Sequence, residues 1–118
     1  MAAGEFDSLY KCFGGEDWEL FRAIALQESR ENPWAIGDGG DAVGLFQQHA
    51  SFWVDFGSTV AEDRWHPAAQ LRALRNFWHT YSNETLEERL LRYHYRGKSN
   101  APIDGDPDDY VAKVQAHL

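Results

Sequence analysis

The sequence predicts a mainly α-helical protein. Apolar residues recur at helical spacing through most of the chain, helix-start residues stand in front of several of these stretches, and one glycine-rich stretch, 37–44, is the main interruption. At 118 residues the chain has the length of a single domain built on one core.

In chain order, Phe6, Leu9 and Tyr10 share one face of a short first helix that Gly14-Gly15 breaks. A second helix is expected over 17–30, with Asp17 as N-cap and Trp18, Phe21, Ile24 and Ala25 as its apolar stripe. Asn32-Pro33 ends it, because the residue before proline avoids the helical region. The stretch 37–44 reads as a loop or a short irregular hairpin. A short helix follows over 51–56. Trp65-His66-Pro67 opens a strong helix with Leu71, Leu74, Trp78 and Tyr81 as its stripe. A further helix is expected over 84–96, with Thr85 and Glu88 as a capping box and Leu86, Leu90 and Tyr93 facing inward. After a loop over 97–105, Asp106-Pro107 and Asp109 open a last helix that buries Tyr110, Val111 and Val114.

Composition narrows the partners. The formal net charge of -8 argues against nucleic acid or an anionic membrane, since phosphate contact needs clustered Lys and Arg. Arg72, Arg75, Arg89, Arg92 and Arg96 alternate with apolar positions and read as a solvated helix face. No apolar stretch reaches membrane-spanning length. The lone Cys12 is expected to be a small buried residue. Aromatic residues make up 14% of the chain, more than a modest core needs, so some are expected to line a groove suited to sugar rings. His49, His66, His79, His94 and His117 show no repeated ligand spacing, so neither a metal nor a cofactor is expected. A monomer is expected, made in the cytoplasm without a signal peptide.

The chemistry concentrates between Glu28 and Gln48. Glu28 follows Phe21, Ile24 and Ala25 at helical intervals, so it shares their apolar face. A carboxylate there is costly unless paired or protonated. Desolvation favours its neutral form and suits it to donate a proton near neutral pH. The plain alternative is a helix-terminal glutamate paired with Arg22 or Arg30. Beyond the glycine-rich stretch, Gln47 and Gln48 set amides directly after apolar residues, a wall able to bind sugar hydroxyls or an N-acetyl group.

Glu28-Ser29, Asn32-Pro33, Ala35, Ala42 and Gly44-Leu45-Phe46-Gln47 form an ordered series that resembles the signature of the soluble lytic transglycosylases, relatives of lysozyme. Pro67 and Gln70 resemble the family's Pro and Asn at the start of its next core helix. Tyr93-His94-Tyr95-Arg96-Gly97 resembles its Tyr-Asn-Ala-Gly motif with one residue added and Asn missing. The resemblance spans about residues 17–97.

What the resemblance implies is a single-domain, lysozyme-like helical fold with a β-like loop after the catalytic helix. It further implies cleavage of the β-1,4 bond between N-acetylmuramic acid and N-acetylglucosamine in peptidoglycan glycan strands. Glu28 takes the place of the catalytic acid and then base, giving a 1,6-anhydro product without the second carboxylate of paired-acid glycosidases. Ser29, Phe46, Gln47, Gln48 and Tyr93 or Tyr95 take substrate-binding places, Tyr93 being favoured by its core spacing. Phe46 stands for the usual Met and Asp41 for the usual Gly. Asp38 falls where goose-type lysozymes, distant relatives, carry a second carboxylate. It is expected either to orient water for inverting hydrolysis or simply to cap its own turn. The small size fits a phage lysis enzyme or a catalytic domain cut from a larger protein. Two other readings are a peptidoglycan-binding domain without catalysis and an unrelated helical interaction module, which would leave Glu28 on the surface.

Overall fold

The computed structural model describes residues 4–57, 64–96 and 107–118, and over these the chain is mainly helical, as the apolar spacing predicts. Helix α1 (Asp7–Gly14) buries Tyr10 and stops where Gly15 turns to φ 68°. A single 3-10 turn, Gly15–Asp17, leads into α2 (Trp18–Ser29). Asp17 stands at the expected start but its side chain makes no capping bond; the preceding turn does that work through the Trp18 amide, which donates to the Gly15 carbonyl. Helix α2 buries Phe21, Ile24 and Ala25 as expected, and Ala23 besides.

The end of α2 is unusual. Arg30 and Glu31 both adopt left-handed conformations, at φ 54° and 60°. Their amides return to the Leu26 and Ala25 carbonyls, closing the last turn. Such a conformation is costly away from glycine. It is held here by the Tyr10 hydroxyl, which donates to the buried Glu31 carboxylate at 3.1 Å.

The loop after α2 is a hairpin. Strand β1 (Ile36–Gly37) pairs antiparallel with β2 (Ala42–Val43), with Ile36 opposite Val43 and Gly37 opposite Ala42. Helix α3 (Ala50–Phe56) follows, then α4 (Pro67–Thr80), with Pro67 in its first turn. Half of α4 is buried, and α1 and α3 both pack against it. Thr85 and Glu88 form the expected capping box of α5 (Leu86–Leu91), both reciprocal bonds being made at 3.0 and 3.2 Å. The expected single helix over 84–96 is divided: after Leu91 the chain widens into a π-helical turn, Arg92–Arg96. Helix α6 (Pro107–Gln115) packs on α2 and α5, with Tyr110 and Val114 buried. The expected loop over 97–105 and the Asp106 cap lie outside the described residues.

Most of the aromatic residues are core. Phe52, Phe56, Phe77, Tyr81 and Tyr93 stack into one cluster with ring centroids 5.0 to 6.3 Å apart. The arginine face is corrected in part. Arg72 and Arg75 are exposed, but Arg92 is buried, bonded through Nε and Nη2 to both oxygens of Glu84 at 2.8 and 2.7 Å. Its guanidinium also lies over the Tyr81 ring, and that of Arg89 over Trp78. A planar cation on an aromatic face gives up little hydration, which is why these positions tolerate burial. Cys12 is exposed rather than buried, because Tyr10 takes the inward face of α1. Among the described residues no helix is long and apolar enough to cross a membrane.

Candidate active site

Glu28 projects from the last turn of α2 into an open cleft of about 230 Å³, and its side chain is only 12% exposed. The cleft is lined by Glu28, Asp38, Ala42, Gln47, His49, Tyr93 and His94. It is smaller than the roughly 300–1,000 Å³ that encloses a whole small ligand. Among the described residues neither Arg22 nor Arg30 pairs with Glu28; Arg22 lies 3.8 Å from Asp7 and over the Trp18 ring.

The partners of Glu28 come from far along the chain. The Tyr110 hydroxyl donates to Oε2 at 3.2 Å, and Nδ1 of His94 lies 3.3 Å from the same oxygen. The two rings stack, with centroids 3.9 Å apart and planes 11° from parallel. Burial and then the Glu28 charge push the Tyr110 hydroxyl well above the ordinary tyrosine range, and the same two causes act on Tyr93. Both phenols therefore stay protonated.

Tyr93 lines the cleft, but its hydroxyl donates to the Phe46 carbonyl at 2.8 Å and not to Glu28. Tyr95 sits behind His94, edge-on to it at 4.5 Å and outside the cleft lining. Tyr93, His94 and Tyr95 all lie within the π-helical turn Arg92–Arg96, a wide turn of the kind often found at functional sites.

Three of the expected substrate-binding side chains are turned inward. The Ser29 hydroxyl donates to the Leu45 carbonyl at 2.6 Å and accepts from the Asn32 amide, tying α2 to the loop. The Phe46 ring is fully buried, edge-on to Tyr10 at 6.3 Å, and offers no platform to a sugar. Gln48 is buried too, its side-chain amide donating to the Gln70 carbonyl at 2.8 Å. Gln47 does line the cleft, held by donation to the Ala35 and Gly44 carbonyls.

The centre of this wall is Gln70, fully buried in α4. It accepts from the Phe46 amide at 3.0 Å and donates to the Val43 and Arg64 carbonyls at 2.8 and 2.6 Å. Gly44, at φ 82°, lets the loop approach it: a Cβ there would sit 2.6 Å from the Gln70 amide nitrogen.

Asp38 lies in the same cleft as Glu28, on the hairpin turn, at φ 49°. Its carboxylate is 2.8 Å from Nε2 of His49, whose Nδ1 is 2.7 Å from Asp41. The hydrogen bond from His49 holds the Asp41 carboxyl below the usual aspartate range. Trp34 is 74% exposed and forms a tilted pair with Trp65, their centroids 6.2 Å apart. Trp34 immediately precedes Ala35, whose carbonyl anchors Gln47.

His94 and Tyr110 are the site residues that sequence reasoning missed. The one signal for His94 is its place next to Tyr93, a position with core spacing. Tyr110 had none, being recognisable only as a buried position 82 residues from Glu28. Compared with known proteins, the chain matches no family model, no curated protein and no solved structure.

Proposed function

We propose that the chain is a lysozyme-like, peptidoglycan-cleaving glycosidase acting as a lytic transglycosylase on the bond between N-acetylmuramic acid and N-acetylglucosamine. The observation that carries this reading is Glu28: a largely buried carboxyl group, aimed into an open cleft, with no Lys or Arg partner among the described residues. Glu28 protonates the glycosidic oxygen as the bond breaks. Its carboxylate then accepts the proton of the muramic 6-hydroxyl as that oxygen closes on the anomeric carbon. The product is a 1,6-anhydro ring, and the acid is restored without a second carboxylate. Gln47 and the exposed Trp34 provide an amide and an aromatic face along the same loop, groups suited to sugar hydroxyls and ring faces.

One observation favours a second reading. Asp38 faces the same cleft with His49 bonded to its carboxylate, an arrangement able to orient water for inverting hydrolysis. Release of dye from labelled cell-wall sacculi tests both readings together. Wild-type protein is expected to release it, and Glu28→Gln to lower the rate by at least about a hundredfold with unchanged folding. Tight binding to sacculi without release would point instead to a binding domain.

A further inference from the structure

The hydrogen bonds to Glu28 are not shared between its two oxygens. The Tyr110 hydroxyl and His94 Nδ1 both meet Oε2, at 3.2 and 3.3 Å, and among the described residues none meets Oε1. We infer that Tyr110 and His94 act together as positioning residues that fix the acidic proton of Glu28 on Oε1, the oxygen left to face the substrate. This deepens the proposed function and rests on it for its catalytic consequence, though not for its structural content.

A carboxyl oxygen that accepts from two donors has no good place for a proton of its own, because a third hydrogen would point into one of theirs. The proton is therefore carried by the other oxygen. Tyr110 is 4% exposed, and burial followed by the Glu28 charge raises its phenol well above the ordinary tyrosine range, which keeps it a donor. For this, His94 must carry hydrogen on Nδ1, the ring nitrogen that faces Oε2. Its ring is kept in the required plane by the stack on Tyr110 and the edge contact with Tyr95 at 4.5 Å. The two donors reach Glu28 from different elements, the π turn and α6. The carboxyl group is thus fixed against rotation about its last bond, and its bare oxygen is presented in one direction. Preorganisation of this kind raises the rate of proton transfer more than it raises substrate affinity.

The test separates donation from stacking. His94→Phe keeps a flat ring against Tyr110 and removes the donor. His94→Asn removes the ring and keeps an amide donor near the place of Nδ1. On soluble, uncross-linked glycan strands, His94→Phe is expected to lower kcat about ten- to a hundredfold, the loss of a hydrogen bond to a charged or acidic group. KM should change little, and His94→Asn should recover most of kcat. Equal losses in both variants, or a change confined to KM, would overturn the inference. If wild-type protein cleaves no glycan, the functional reading fails and the inference is judged by nitrogen-15 NMR of labelled histidine in the intact protein. Protonated Nδ1 on His94, with a resonance that moves in Glu28→Gln, supports it. Nδ1 without a proton overturns it.

Discussion

The Tyr93 hydroxyl donates to the main-chain carbonyl of Phe46 at 2.8 Å, joining the π turn to the loop that follows the hairpin. One bond between residues 47 positions apart thus ties the cleft residue Tyr93 to the segment that carries Gln47. Tyr93→Phe is expected to cost about 1 kcal/mol of stability, the usual worth of a neutral hydrogen bond. Urea unfolding monitored by circular dichroism measures it.

Gln70 has a heavier role. Replacing it by leucine strips partners from the Phe46 amide and from the Val43 and Arg64 carbonyls, all joined through one buried side chain. The expected loss is about 1–3 kcal/mol, the cost of leaving the buried Phe46 amide unpaired, since the Val43 carbonyl still accepts from the Gln48 amide. Gly44→Ala should destabilise as well, by about 1–2 kcal/mol from backbone strain alone, with the clash against Gln70 added. Thermal unfolding of both variants checks this.

Alkaline pH should unfold the protein through its tyrosines. The hydroxyls of Tyr10, Tyr93 and Tyr110 are all pushed above the ordinary tyrosine value, first by burial and then by a neighbouring carboxylate, Glu31 or Glu28. Below about pH 10 both folded and unfolded chains hold these protons, and the groups have no effect on stability. Above it the unfolded chain releases them while the folded chain retains them. Stability then falls by about 1.4 kcal/mol per pH unit for each tyrosine, until the folded values are reached. Unfolding midpoints measured at rising pH, with tyrosinate absorbance recorded in parallel, should show ionisation of these three only as the fold is lost.

At the acid end, His49 governs Asp41. Its hydrogen bond lowers the Asp41 carboxyl, so this contribution to stability is present above the unfolded value and is lost as pH falls through the folded one. His49→Ala should return Asp41 upward, toward the ordinary aspartate range. Carbon-13 NMR titration of the side-chain carboxyls reads the shift, and an unmoved Asp41 would contradict the assignment.

Much of this was legible locally. The stripe of Phe21, Ile24 and Ala25, the Thr85 capping box and the proline at the start of α4 are short-range patterns, and each appears where its spacing puts it. Glu28 was placed on the apolar face by the same periodicity, and its side chain is correspondingly buried. Contacts made across the fold were not legible. Ser29, Phe46 and Gln48 stand where a linear motif suggests substrate contact. Their groups are instead used against Leu45, Tyr10 and Gln70, partners that only tertiary packing brings near. Arg92 shows the same limit in reverse: its helical position suggests solvent, and Glu84 with the Tyr81 ring draws it inward. The π turn was not legible either, since no propensity marks a single wide turn.

The central claim is that Glu28 drives cleavage of glycan strands in which the substrate's own hydroxyl, not water, completes the reaction. Mass spectrometry of purified peptidoglycan digested by the wild-type protein and by Glu28→Gln tests it most directly. Fragments ending in 1,6-anhydro-muramic acid, one water lighter than reducing ends, are expected from the wild type and none from the variant. Reducing ends alone would transfer the reaction to the hydrolytic route through Asp38; no fragments from the wild type, or equal release by Glu28→Gln, would contradict the claim outright.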